Sequence, residues 1–304
     1  LSSLKNSPGY AHQSPAACLK VTGEDALTFL QGQLTQELRA DRMGAAPYAL
    51  LLSQKGKVVA DAFVLRVSAT EIWLVSYRVP AAVIRERLEG FIIADDVVIE
   101  DQTEAYALLT LIGDQAGNWL RTQVGTLPDS GAMVSAPSGG WVFCGRRGPV
   151  ENWEWLAPRV SLPVPPLAIL SGDDLEKSRL HAGIPAIPDD LGPADLPNEG
   201  GLESVAISYT KGCYLGQEVM ARLKAMGQVR RRLTRVTGLG PFPAERPATL
   251  YQGGKRVGEV RTWVVDGAGG WLGLAMLSLL SLDANAPLSL SPTELGAITV
   301  AGDP

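Results

Sequence analysis

A chain of 304 residues is too long for one small core, and with 46% apolar and 19% charged side chains it is globular and not disordered. A formal charge of −5 argues against general coating of nucleic acid, although a local basic patch stays open. The three cysteines, Cys18, Cys144 and Cys213, stand at wide, unequal spacings that give neither a zinc pattern nor a disulfide framework, so a reducing cytoplasm is the simplest compartment.

Leu1 to Gln13 has no basic stretch followed by an apolar one, so no signal peptide is expected. Cys18 to Val21 is a short apolar run. Gly23-Glu24-Asp25-Ala26-Leu27-Thr28-Phe29-Leu30 then opens a helix, with the acids expected in its first turn, where the helix dipole favours them. Tyr48 to Leu52 reads as a strand, Gln54-Lys55-Gly56-Lys57 as a hairpin turn, and Val58 to Val67 and Ile72 to Ser76 as two more strands. Pro80 suits the first position of a helix that runs to Gly90. Strands are expected at Val97–Glu100 and Ala105–Ile112. Gly113-Asp114-Gln115-Ala116-Gly117-Asn118-Trp119-Leu120 then repeats the Gly23 segment as glycine, acid, polar residue, alanine, aromatic and leucine, and Gln123 echoes Gln33. That echo suggests two similar α+β halves. Val142–Cys144 and Trp153–Leu156 continue the second.

After the proline-rich stretch Pro158 to Pro166, Ser171 and Asp174 form a capping box. The helix they open carries Leu175, Ser178, Arg179 and Ala182, and Gly183 with Pro185 stops it. Further on comes Lys211-Gly212-Cys213-Tyr214-Leu215-Gly216-Gln217-Glu218, preceded by Asn198-Glu199-Gly200-Gly201. So many polar and backbone-permissive residues make a poor core and read as a loop feeding an amphipathic helix. Cys213 is expected near a helix N-terminus with Lys211 close by, and both favour thiolate over thiol, while Glu218 opposes it. The alternative is a small buried thiol in a Gly-rich turn.

From Val219 to Ala244 stand six bases and no acid: Arg222, Lys224, Arg230, Arg231, Arg232 and Arg235. This is a patch for a polyglutamate tail, a phosphate-bearing partner or RNA, or else a solvated face flanking a strand. Past Arg235 the texture changes to glycines, prolines and short β-type runs. A hairpin from Leu250 to Val260 turns at Gly253-Gly254. With Trp263–Val265, Leu272–Leu277, Leu288–Leu290 and Ala297–Val300 it predicts a small all-β barrel. The expected division is an α+β domain over 1–235, in two parts of about 1–95 and 96–235, and a barrel over 236–304. The longest apolar run, Trp271 to Leu282, is interrupted and too short for a bilayer, so a soluble protein with no membrane partner is expected. Neither His12 nor His181 sits in a metal-ligand spacing, and no nucleophile–base–orienter set is visible.

Lys211-Gly212-Cys213-Tyr214-x-Gly216-Gln217-Glu218 resembles the signature of the YgfZ family of folate-binding, iron–sulfur-protein maintenance factors, which are relatives of the glycine-cleavage T-protein. Other stretches resemble family motifs in the same order: Gly23-x-Asp25-Ala26-x-x-Phe29-Leu30-Gln31-Gly32-Gln33-Leu34-Thr35, Lys55-Gly56-Lys57-Val58, Arg179-x-x-Ala182-Gly183-Ile184-Pro185 and Arg222-x-Lys224-x-x-Gly227. The likeness covers nearly the whole chain. It implies an α+β, T-protein-like fold, with two related ferredoxin-like parts around a folate cavity and a C-terminal β-barrel.

By position it also implies Tyr48, Asp61 and Glu154 at the cavity. A pterin's N–H edge wants a carboxylate and its face wants a ring. Leu175, Asn198, Glu199, Tyr214, Gln217, Glu218 and Arg222 are the further residues implied to bind the cofactor, tetrahydrofolate or a derivative. Cys213 as a reactive thiol, with Lys211 and Asp61, is expected to carry the chemistry.

The chain also departs from the T-protein. The Arg-Thr-Gly-Tyr-Thr-Gly-Glu stretch is replaced by Cys144-Gly145-Arg146-Arg147-Gly148-Pro149-Val150, the acid of the third motif's helix by His181, and the paired aspartates by Ala60-Asp61. An aminomethyltransferase homologue without glycine-cleavage activity is therefore expected. Its implied partners are reduced folate, iron–sulfur enzymes (tRNA-modifying ones included) or cluster-assembly proteins, and tRNA or polyglutamate at Arg222, Lys224, Arg230, Arg231 and Arg232; a monomer is expected. The competing readings are a folate-dependent one-carbon-transferring enzyme that keeps Asp61, and a pure interaction protein with a vestigial cavity.

Overall fold

The computed structural model describes residues 8–39, 44–267, 269–283 and 285–301. The leader reading of Leu1 to Gln13 falls mostly outside them. Strands β1 (Gly9–Gln13) and β2 (Ala17–Thr22) lead into helix α1 (Ala26–Gln33). A meander follows of β3 (Tyr48–Leu52), β4 (Val58–Arg66) and β5 (Glu71–Ser76), then α2 (Ala81–Glu89) with Pro80 as its cap. Next come β6 (Val98–Asp101), β7 (Tyr106–Ile112) and α3 (Asp114–Val124). The second meander is completed by β8 (Met133–Ser135), β9 (Trp141–Cys144) and β10 (Asn152–Pro158). Helices α4 (Gly172–His181), α5 (Glu203–Ala206) and α6 (Gln217–Met226) carry the chain onward. The last strands are β11 (Arg231–Leu239), β12 (Ala248–Gln252), β13 (Lys255–Val265), β14 (Gly270–Ser278) and β15 (Ile298–Val300).

These strands form three five-stranded antiparallel sheets, ordered β3-β4-β5-β2-β6, β1-β7-β10-β9-β8 and β12-β13-β14-β11-β15. Every residue of β3 is buried, as a strand must be when both faces of its sheet are covered. The first sheet meets Phe29 and Leu30 of α1 and Ile84 and Leu88 of α2. It also meets the second sheet through aromatic rings: Phe63 lies 5.0 Å from Phe143, and Trp73 5.2 Å from Trp141. Such tilted pairs add about 0.5–1.5 kcal/mol each beyond the area they bury. In the second half, α3 comes down on Trp153 at Gly117, where a Cβ would stand 2.7 Å from the indole.

The structure corrects three boundaries. Glu24 and Asp25 precede α1 instead of filling its first turn. The Asp25 carboxylate accepts from the Asp96 backbone N–H at 2.9 Å, so it ties the helix entry to the strand beyond α2. The cut near residue 95 is not clean, because β1 pairs with β7 in the second sheet and β6 with β2 in the first. The chain thus starts in one half, builds the other and returns. Finally, the boundary at Arg235 falls inside β11, which pairs with β14 from Arg231 to Leu239.

Candidate functional site

A cavity of about 170 Å³ opens where β3, β4, the turn after β5, the β9–β10 loop and α4 meet. At its inner end sits Asp61 of β4, only 7% exposed. The Tyr48 hydroxyl donates to its Oδ2 at 2.8 Å and the Ser76 hydroxyl to its Oδ1 at 2.9 Å. Burial pushes the Asp61 carboxyl above the usual carboxylate range, and these two bonds and the charge of Arg146 pull against that rise. Asp61, Tyr48 and Leu175 of α4 all line the cavity.

Glu154 does not. It is fully buried behind the wall, where Oε1 accepts from the Tyr77 hydroxyl (2.8 Å) and from Arg147 Nε (2.7 Å), and Oε2 accepts from Thr110 Oγ1 (2.7 Å). With both oxygens engaged and no cavity face, it is a strut that fixes Arg147 and Tyr77. The Tyr48 ring is not a free stacking platform either, since the Arg146 guanidinium lies over it at 4.4 Å. Arg147 covers Tyr77 in the same way at 3.5 Å. The stretch 144–150, read from sequence only as a lost T-protein motif, thus supplies two guanidiniums of the cavity wall. Gly148 makes the approach possible: a Cβ there would fall 2.0 Å from Ser178 Oγ of α4.

The α4 wall is ionic. Glu176 accepts from both Arg78 and Arg179. Arg179 also donates to Asp190 Oδ2 (2.6 Å), the Ile184 carbonyl (2.6 Å) and Thr262 Oγ1 of β13 (3.1 Å). Sequence reasoning named Arg179 only as part of a motif and missed Tyr77, Arg78, Arg146, Arg147 and Glu176 as cavity residues, and Ser76 as the support of Asp61. The one signal available was a pair of adjacent arginines between glycines.

The cysteine motif lies elsewhere. Cys213 is exposed, but α6 begins only at Gln217, with Gly216 as its cap at φ +86°. The thiol therefore precedes the first helical turn. Lys211 is only 6% exposed, and its ammonium donates to the carbonyls of Gln31 (2.8 Å), Leu34 (2.7 Å) and Gln36 (2.7 Å). All three of its hydrogens are spent at the C-terminal end of α1, so it pins the loop and does not serve the sulfur. Burial lowers its pKa to about 8. Tyr214 is buried, its phenol pushed up to about 12, with no hydrogen-bond partner among the described residues. Gly216 sits on the β3–β4 turn, where a Cβ would stand 2.7 Å from the Ser53 carbonyl oxygen. The Lys55-Gly56-Lys57 and cysteine motifs are thereby packed together.

Tyr214, Gln217, Glu218 and Arg222 accordingly do not line the cavity, nor do Asn198 and Glu199. Asn198 lines a separate surface groove with Tyr209, Lys224 and Arg232. Glu199 is held by Arg231 at 3.0 Å. The basic patch shrinks for the same reason. Arg231 also pairs with Asp195, Arg235 donates to the His181 carbonyl, and Lys224 lies over the Tyr209 ring, while Arg222, Arg230 and Arg232 remain exposed. No helix among the described residues is long and apolar enough to cross a membrane.

Comparison with known proteins agrees with this fold. Residues 2–132 match the GCVT N-terminal domain and residues 230–301 the CAF17 C-terminal beta-barrel domain. The mitochondrial iron-sulfur cluster assembly factor IBA57 of Homo sapiens is 29% identical over 93% of this chain and 80% of its own length. The corresponding factor of Mus musculus is 35% identical, but over 41% of this chain and only 36% of its own length. The tRNA-modifying protein YgfZ of Edwardsiella ictaluri is 29% identical over 71% of this chain and 66% of its own length. The crystal structure of the glycine cleavage system aminomethyltransferase T from Bartonella henselae superposes with a TM-score of 0.80, covering 98% of this chain and 86% of that one at 18% identity. The fold is that of the T-protein.

Proposed function

We infer, for a chain that belongs with the YgfZ and IBA57 proteins and carries a GCVT N-terminal domain and a CAF17 C-terminal barrel, that it binds a reduced folate and acts as an accessory factor for iron–sulfur enzymes, tRNA-modifying ones among them. The observation that carries the reading is the buried carboxylate of Asp61 at the end of a cavity walled by arginines. A carboxylate has about four lone-pair sites, and Tyr48 and Ser76 use two, so room remains for the N–H edge of a pterin. At about 170 Å³ the cavity is smaller than the ~300 Å³ at which pockets begin to enclose a whole drug-sized ligand, so it suits one end of a folate with the rest at the mouth. Asp61 and Arg146 would hold that end, and Leu175 would pack against it. Bound reduced folate supplies a carrier for one-carbon units; the chain's own residues bind it, orient it and keep water from its inner edge.

Cys213 is the point of contact with the iron–sulfur partner in this reading. Its thiol is free and exposed, as a transient ligand to a partner's iron must be, and a lone cysteine cannot hold a cluster by itself. The three free thiols fit a reducing compartment, and we place the protein in the cytoplasm. Glycine cleavage is not part of its work, because Arg146 and Arg147 occupy the stretch where the T-protein has its own motif. An assay with aminomethylated lipoyl carrier and tetrahydrofolate is expected to show no turnover, and a rate near ~1 per second, ordinary for an enzyme, would reverse that.

The folate reading is tested by titrating tetrahydrofolate calorimetrically into the protein and its Asp61→Ala variant. Loss of a buried charge-assisted hydrogen bond is expected to weaken binding about tenfold to a hundredfold. Equal affinity in the two proteins would overturn the placement.

A further inference from the structure

Arg146 differs from every other arginine at the cavity. Arg147 is held by Glu154, Arg78 by Glu176 and Asp189, and Arg179 by Glu176 and Asp190. Among the described residues the Arg146 side chain makes no ion pair and donates no hydrogen bond; it is known only over the Tyr48 ring. Its backbone is nevertheless fixed, since the Arg146 N–H donates to the Tyr77 hydroxyl at 3.2 Å. The result is a positioned guanidinium with its donors unspent at the wall of a cavity.

Tyr48 links this cation to Asp61. The ring carries Arg146 over its face, and its hydroxyl is bonded to the Asp61 carboxylate. One aromatic side chain thus carries a donor group over its face and an acceptor group at its hydroxyl, and both line the same cavity. A ligand edge complementary to that pair presents an N–H next to a carbonyl, which is a cyclic amide. The 4-oxopterin edge has this order. A 4-aminopterin presents an amino donor in place of the carbonyl, which the guanidinium cannot pair with, and a bare ring nitrogen in place of the N–H, which the Asp61 carboxylate cannot pair with. Sites built to hydrogen-bond one group reject the analogue lacking it far more strongly than packing alone does.

We propose that Arg146 is a specificity-determining residue, donating to the 4-oxo group of a pterin whose N–H edge is taken by Asp61, and so selecting 4-oxo over 4-amino pterins. The inference rests on the folate reading above and names the half of the pterin edge that Asp61 does not read.

The test is calorimetric titration of tetrahydrofolate and of 4-amino-4-deoxy-tetrahydrofolate into the full chain and into Arg146→Met and Arg146→Lys. Methionine keeps apolar cover on Tyr48, and lysine keeps the charge without the planar fork. Far-ultraviolet circular dichroism confirms that each variant is folded. The wild type is expected to prefer the 4-oxo ligand by at least about tenfold. In Arg146→Met that ratio should fall at least about threefold, towards the share that Asp61 alone contributes, through loss of 4-oxo affinity with 4-amino affinity held or raised. Arg146→Lys should keep only part of the ratio. A uniform weakening of both ligands by Arg146→Met would make the arginine a packing residue and overturn the proposal, as would an unchanged ratio. Failure of the wild type to bind either ligand would instead overturn the folate reading, and this inference with it.

Discussion

At the scale of single residues, Lys211 gives the clearest pH signature. Its folded pKa of about 8 lies below the 10.5 of a solvated lysine because burial disfavours the charge. Between those values the unfolded chain binds more protons than the folded one, so this group makes stability rise with pH across that window. Lys211→Met removes both that slope and the donors of three carbonyls. Urea unfolding should therefore show a variant less stable by about 1–3 kcal/mol near neutrality, with the gap to wild type widening from pH 8 towards pH 10. A gap that narrowed with pH would contradict the account. Lys211 also shows the limit of sequence reading. Its place two residues before Cys213 suggested an electrostatic partner, but its three acceptors come from the end of α1, far away in the chain. Asp61 and Tyr48, which line the cavity, were pointed to by the likeness to the T-protein and not by their own spacing. Arg146 and Arg147 were not legible, because rings on β3 and just after β5 give them their meaning.

At the scale of elements, the cysteine loop is a rigid mount with a free tip. Gly216 holds a left-handed backbone against the Ser53 carbonyl, while Cys213 is solvent-exposed. Gly216→Ala is expected to cost about 1–3 kcal/mol, through strain at positive φ and a clash with backbone. Cys213→Ala should change stability by less than about 0.5 kcal/mol, as exposed substitutions do, yet abolish rescue of a strain lacking the gene. Denaturation of both variants beside complementation separates mount from tip; full rescue by Cys213→Ala would remove the thiol from the mechanism. Among the elements, α4 was legible down to its capping box, since Ser171 and Asp174 act on each other locally. Strand β11 was not. Its arginines mask the alternation, and they are explained only by distant carboxylates, such as Asp195 and Glu199 for Arg231.

At the scale of the molecule, the third sheet braces the cavity. Thr262 of β13 accepts from Arg179 and donates to Asp190 at 2.6 Å, and Arg261 reaches Asp195 at 3.3 Å. The wall that faces a ligand is thus anchored in a sheet that does not touch it. The order of parts, two α+β halves and then a β-sheet domain, could be read from the chain because each leaves a local pattern of strands and turns. The exchange of β1 and β6 between the halves could not, because the pairings join strands that are not neighbours in sequence and nothing local encodes them. That exchange closes the two sheets over a common core and sets Asp61 opposite the β9–β10 loop. In the proposed function the space between them receives the pterin end of a reduced folate. A crystal structure of the protein with tetrahydrofolate tests it most directly. Density is expected for the pterin in the cavity, its N–H edge within hydrogen-bond distance of the Asp61 carboxylate and the Arg146 guanidinium alongside. Folate density in the groove of Asn198, Tyr209 and Lys224, with the Asp61 cavity empty of it, would contradict the account.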